Sequence, residues 1–256
     1  MRKCHETDFS GPAVDGGPNG RVVVFCGKKS SKISESGQVW LWTALDAKTR
    51  LLITFFVGDR TEKSCQTFMN QLAKAIGEKR KPLFTSDELA SYASALKEKF
   101  GRVITPEPTG KRGRCRLPYV VADEDLDYAT VHKTRRNGRV VKVEKRIIYG
   151  DKERIEKRLM DSPSVQINTS FVERHNGILR QMDAHLSRKS LTFAKSLRYF
   201  EAKIAFIAAF YDFVRPHSTL SKNEDRTTTP RTPFMATELT DHPWSLEELM
   251  SVYVMQ

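Results

Sequence analysis

The sequence has no long hydrophobic run. Its longest nearly apolar stretch, Ile204 to Val214, is interrupted by Asp212. A membrane helix needs roughly 20 apolar residues, so no span is expected. Cysteine is scarce and never paired at short range. Cys4, Cys26, Cys65 and Cys115 are far apart, which argues against a zinc ribbon or a disulfide framework and fits a reducing cytosol. Cys4-His5 alone does not make a zinc site. The charged start, Met1-Arg2-Lys3 through Asp8, is followed by no apolar core and so does not read as a secretory signal. No internal repeat is visible at periods of roughly 20–50 residues.

Acidic residues are the minority sign. The 256 residues hold 43 Lys+Arg against 31 Asp+Glu, a formal charge of +12. A basic surplus favours a polyanion, because phosphate backbones release condensed counterions when Lys and Arg bind them. The surplus is uneven. Residues 130–160 hold eleven Lys/Arg and four acids, and residues 171–200 hold six and two. A soluble basic enzyme with no such partner is the plain alternative.

Along the chain, residues 1–20 read as a flexible segment dense in turn formers, and Arg21 to Cys26 as a strand. Lys28 to Gly37 is a polar loop. Gln38 to Leu45 and Leu51 to Val57 are apolar, aromatic-rich runs joined by Asp46-Ala47-Lys48-Thr49-Arg50, which predicts a hairpin. Trp40, Trp42 and Phe55 read as core aromatics. A helix follows, with Thr61 as N-cap, Phe68, Leu72 and Ile76 on one face, and Gly77 at its end. Pro82 to Thr85 is a strand that stops at Ser86-Asp87-Glu88. A second helix turns Leu89, Tyr92 and Leu96 inward and closes at Gly101.

The stretch 105–165 opens on a Pro/Gly-rich basic linker. It carries strand patterns over Asp127 to Lys133 and Arg139 to Tyr149, then a helix over 151–161, and reads as an insertion. The last third is helical, over Phe171 to His185 and Ser196 to Val214, with Arg215-Pro216-His217 as the break. The divisions are thus 21–104 and 166–220 for a core, 105–165 for the basic insertion, and 221–256 for a tail with a short helix.

Two acids stand out. Asp87 ends a strand between two helices, where open α/β sheets place functional groups; the plain alternative is a helix cap. Glu173 shares a helix face with Asn176 or Gly177 and with Arg180, a pattern suited to a metal-holding carboxylate beside a phosphate-holding Arg. A solvated face is its alternative. His175 points about 200° away from Glu173 and is left out of the ligand set. His217 reads as structural. Together the elements make an α/β chain: three antiparallel strands, then parallel strands, flanked by helices, the order of an RNase H-like mixed sheet. In such a sheet Asp87 and Glu173 would meet, within about 10 Å, and hold divalent cations for phosphodiester chemistry.

Several blocks resemble the DDE-type transposases of insertion sequences, within the retroviral-integrase superfamily. They are Val39-Trp40-Leu41-Trp42 to Asp46, Val57-Gly58-Asp59-Arg60-Thr61, Phe84-Thr85-Ser86-Asp87-Glu88 and Ile167-Asn168-Thr169 to Asn176. They continue with Leu186-Ser187-Arg188-Lys189 to Phe193, Tyr211-Asp212-Phe213 to His217, and Thr232-Pro233 to Trp244. The resemblance covers nearly everything after residue 21. It implies a catalytic core that cleaves and joins DNA with Mg²⁺ or Mn²⁺, Asp87 as second acid and Glu173 as third. It also implies double-stranded DNA as partner, a homo-oligomer on that DNA, and a cytoplasmic, nucleoid-associated location. Arg180, Arg188, Lys189, Arg135, Arg136 and Arg139 are the candidate DNA contacts.

The first acid breaks the pattern. The family carries it on the first strand, where this chain has Gly20 and no acid before Gly27-Lys28-Lys29. Asp46 is the nearest acid in the sheet, a weak substitute because its counterpart belongs to the hairpin turn. Asp15 lies in the loop upstream. The alternative function is therefore a catalytically impaired relative that only binds DNA.

Overall fold

The computed structural model describes residues 22–33, 37–77, 81–107, 116–187, 191–224 and 227–254. Strand β1 (Val22–Ile33) runs into β2 (Gly37–Asp46) and β3 (Leu52–Gly58). Helix α1 (Glu62–Ile76), β4 (Leu83–Asp87) and α2 (Ala90–Phe100) follow. A small pair, β5 (Arg102–Ile104) and β6 (Tyr119–Val121), precedes β7 (Asp127–Arg136), β8 (Arg139–Tyr149) and α3 (Lys152–Met160). Then come α4 (Ser170–Met182), a 3₁₀ turn at Ala184–Leu186 and α5 (Leu197–Ala209), which runs on into a π-helical turn over Phe210–Val214. The short pair β9 (Lys222–Glu224) and β10 (Thr227–Thr229), then α6 (Pro233–Ala236) and α7 (Leu246–Val254), complete the described chain.

The main sheet has the order β3-β2-β1-β4-β7-β8. β1, β2 and β3 are antiparallel neighbours, β1–β4 and β4–β7 are parallel, and β7–β8 is antiparallel. This is the expected mixed α/β arrangement of three antiparallel strands followed by parallel ones. α1 behaves as its sequence dictates: the Thr61 hydroxyl accepts from the Ser64 amide, Phe68, Leu72 and Ile76 are buried, and Gly77 ends it at φ 83°. Glycine bears that positive φ at no steric cost.

Two expectations need correction. The residues read as a polar loop, Lys28 to Gly37, mostly extend the β1–β2 ladder, with a register shift between Lys29 and Lys32. Polar residues sustain a ladder where a partner strand satisfies their backbone groups. The 105–165 stretch is also not a separate insertion in its second half. β7 hydrogen-bonds to β4 along Leu83↔Asp127 to Asp87↔Val131, so it is an interior strand of the sheet, and β8 forms the edge beside it. Parallel pairing is made between distant segments and leaves no local signature.

Alternation splits the sheet into two faces. One packs α1 and α2 around Trp42, Phe68, Leu72, Phe84, Tyr92, Leu96 and Tyr128. The other packs α4 and α5 through Leu41, Val57, Leu179, Phe200 and Ile204, and α3 and α4 through Leu83, Ile155, Leu159 and Val172. Each such fully buried side chain contributes about 1.5–3 kcal/mol. α3 is fixed further by charge. Asp127 is fully buried and holds Arg154 through contacts of 2.6 and 3.0 Å, and Arg158 at 3.1 Å. That network anchors α3 to the first residue of β7.

Candidate active site

Asp87 is the last residue of β4 and is exposed, while the four residues before it are buried. It is not the helix cap: Leu89 occupies the N-cap position of α2, and its amide donates to the Asp87 carbonyl at 2.9 Å. Asp87 pairs with Val131 of β7, which pairs with Lys145 of β8. Bridged partners share a sheet face and residues two apart on a strand share it too. Asp87, Val131, Lys133 and Lys145 therefore lie on the face that carries α4.

Glu173 sits in the first turn of α4. The Asn168 side chain opens that helix by accepting from the Ser170 amide at 3.1 Å and from the Ser170 hydroxyl at 2.7 Å. Glu173 Oε1 accepts from Lys133 Nζ at 2.6 Å and from the Thr169 hydroxyl at 3.0 Å. Lys133 is two residues beyond the partner of Asp87, a rise of about 7 Å along the strand. The two acids thus lie over the same sheet face, linked through Val131 and Lys133 around the corner at the C-terminal end of β4, despite their separation in sequence. Buried Asn176, one turn further along α4, accepts from the Thr43 hydroxyl at 3.5 Å. Arg180, a turn beyond, is half-buried.

Asp46 stands apart. It is 3% exposed and serves its own turn. Its Oδ2 accepts from the Thr49 hydroxyl at 2.7 Å and its Oδ1 from the Lys48 amide at 3.2 Å. It pairs with Val23, a member of the α1/α2 core, whereas neighbouring Leu45 and Ala47 pack in the α3–α5 clusters. Alternation turns Asp46 to the face opposite Asp87. Asp46 is therefore a turn residue, and its suggested role as first acid is not supported by its place. Gly20 and Asp15 lie outside the described residues. On β1, Phe25 pairs with Ser86, so Cys26 is the residue level with Asp87.

The donor set decides which ion fits. β1 from Val22 to Ile33 contains no Asp or Glu. Among the described residues no group of three or more His, Cys, Asp and Glu is placed to hold a metal. Asp87 and Glu173 suit one hard cation that keeps several waters; they do not suit a pair of ions.

His175 is not part of this chemistry. It is 1% exposed, its ring lies edge-on to Tyr211 at 4.5 Å, and among the described residues neither ring nitrogen has a hydrogen-bond partner. Burial, helped by His217 and Arg215, pushes its pKa down to about 3. His217 is structural: its amide donates to the Arg231 carbonyl at 2.8 Å and its Nδ1 meets the Thr219 hydroxyl at 2.9 Å.

Arg135, Arg136 and Arg139 are exposed at the tip of the β7–β8 hairpin, around Asn137 at φ 51° and Gly138 at φ 78°. Two successive positive φ values make the tight turn that matches strand twist. Arg188 and Lys189 lie outside the described residues. The ribbon's two faces differ in charge. On the α1/α2 face, Arg146 contacts Glu88 and Glu144 at 2.6 Å each, His132 contacts Glu88, and Lys142 contacts Glu144 at 2.5 Å. Lys142 and Arg146 hold the Glu144 pKa down at about 2. On the α4 face stand Lys133 and Lys145. Sequence reasoning counted both only as part of a basic run; the signal that separates them is strand alternation across from Asp87.

No curated protein matches the chain. Residues 24–117 match the family model described as IS1 transposase. Asp87 lies inside that segment, β7, β8 and Glu173 beyond it. The matched part of the chain is similar to an insertion-sequence transposase, the kind of protein its sequence blocks resemble.

Proposed function

We propose that this chain is the catalytic core of an insertion-sequence transposase with an RNase H-like fold. It would act on double-stranded DNA, with Asp87 and Glu173 as the acids at the reacting phosphodiester. The observation that carries the reading is a strand-end Asp and a first-turn helix Glu on the same face of a β3-β2-β1-β4-β7 sheet. The IS1 transposase match supports transposition as the setting. A bound Mg²⁺ or Mn²⁺ would be held by these two carboxylates and would supply polarisation of the phosphodiester toward cleavage and strand transfer. Arg180 on α4, Arg188 and Lys189 after it, and Arg135, Arg136 and Arg139 at the hairpin tip would hold backbone phosphates. Assembly as a homo-oligomer on DNA ends in the cytoplasm belongs to the same reading. Among the described residues no helix is long and apolar enough to cross a membrane.

A second reading rests on a specific observation. β1 carries no acid and Asp46 faces the other way, which favours a DNA-binding relative whose cleavage is impaired. Two carboxylates position ions poorly, and misplacement costs orders of magnitude in rate. The test is duplex DNA binding against salt, alongside nicking and strand transfer in Mg²⁺ and Mn²⁺. Salt-sensitive binding with slow nicking fits the core with an incomplete acid set. Binding with no nicking selects the second reading. No binding at low salt overturns both.

A further inference from the structure

The Lys133–Glu173 contact is unlike the other ion pairs of the ribbon. Lys142 and Arg146 are matched to Glu144 and Glu88 on their own sheet face. Lys133 reaches instead from β7 to α4, taking the one carboxylate oxygen that Thr169 also serves. Its side chain is 28% exposed and that of Glu173 47%. An ion pair this open to water is a weak stabiliser and is cheaply exchanged for another partner. Lys145 shares this face, one strand over, and donates at 2.6 Å to the Gln166 carboxamide, a neutral acceptor. Two ammonium groups therefore flank the Asp87 corner, one against an exchangeable acid and one against a neutral amide. From Lys133 the same strand runs two residues on to Arg135 at the exposed tip.

We infer that Lys133 and Lys145 form a phosphate-binding subsite that carries the DNA backbone from the hairpin tip to the Asp87–Glu173 corner, with Lys133 leaving Glu173 for a phosphodiester when DNA arrives. The inference rests on the proposed DNA-binding function. Lysine suits such an exchange, because a compact charge on a flexible stem can change partners without the fixed bidentate geometry of arginine. The exchange also takes the ammonium away from Oε1 of Glu173, which keeps the Thr169 hydroxyl, at the moment a phosphate comes near.

The test uses the full chain and mixed-sequence duplex DNA. Each lost phosphate contact lowers the log K against log salt slope by about 0.9. Lys133→Gln with Lys145→Gln should flatten the slope by about two units, and Lys133→Arg with Lys145→Arg should restore it. In the unmodified chain, acetylation of Lys133 and Lys145 followed by mass spectrometry should slow several-fold when DNA is bound, a readout that needs no variant to fold. A wild-type slope in the double Gln variant, or equal acetylation with and without DNA, overturns the subsite while leaving the DNA-binding function standing. Absence of DNA binding by the wild-type chain overturns that function and the subsite with it.

Discussion

Asp46 and Glu173 are both carboxylates beside the same sheet, yet their surroundings assign them opposite work. Asp46 is buried and accepts short-range bonds, from Thr49 and Lys48 of its own turn. Glu173 is half exposed and is held by Lys133, which comes from a different element far away in sequence. An acid that accepts from the amide and hydroxyl of its own turn shapes the backbone there. An acid held by a long side chain across a gap open to water is available to a ligand.

The largest effect should come from adding an acid where the corner lacks one. The family resemblance points to Gly20, whereas the strand register puts Cys26 level with Asp87. Cys26→Asp is expected to raise Mg²⁺-dependent nicking by about 100-fold, the scale that placement of a reacting group commands, and by more than Gly20→Asp. Nicking assays on the two variants decide between the positions. A larger gain from Gly20→Asp would favour the position implied by the resemblance over the strand register.

Next in size is the anchor beneath the ribbon. Asp127→Asn leaves Arg154 and Arg158 without their shared carboxylate, and breaking a buried pair of this kind costs about 3 kcal/mol. Urea unfolding should show that loss, and with α3 released from β7, DNA affinity should weaken alongside it.

The comparison itself is sharpened by two neutral variants. Asp46→Ala should cost about 1–3 kcal/mol, because the Lys48 amide and Thr49 hydroxyl lose a buried acceptor, with DNA affinity unchanged. Glu173→Gln should cost under about 1 kcal/mol, the scale of an exposed pair, while abolishing what nicking there is. Exchanged outcomes, with Glu173 the costlier to stability, would reverse the assignment.

The smallest effect concerns Asp212, which is buried with the Leu52 amide donating to it at 3.0 Å. Burial raises its pKa well above the ordinary value. The folded state then keeps a proton that the unfolded chain releases above about pH 4. Wild-type stability relative to Asp212→Asn should therefore fall as pH rises from there through the raised folded pKa. Thermal midpoints of the two proteins at several pH values give the slope. A difference independent of pH would mean that Asp212 is ionised in the fold.

Much of this was legible in the sequence where the signal is local. The hairpin over Asp46 to Arg50 declared its turn chemistry, and α1 declared its cap, stripe and terminal glycine. Asp87 and Glu173 were legible as a strand-end and a helix-face acid. What escaped was non-local. Pro106, Pro108 and Gly110 mark a linker, but nothing in Asp127 to Arg136 announces that the strand beyond it rejoins β4. Lys133 was invisible for a related reason: in a run of basic residues, only pairing and alternation show which one faces an acid.

The most direct test of the central contrast is Mn²⁺ binding to the full chain, followed by electron paramagnetic resonance, in wild type and in Asp87→Asn, Glu173→Gln and Asp46→Asn. One weak ion is expected in wild type, lost in the Asp87 and Glu173 variants and kept in the Asp46 variant. Loss of the ion in Asp46→Asn with retention in Glu173→Gln would contradict that expectation.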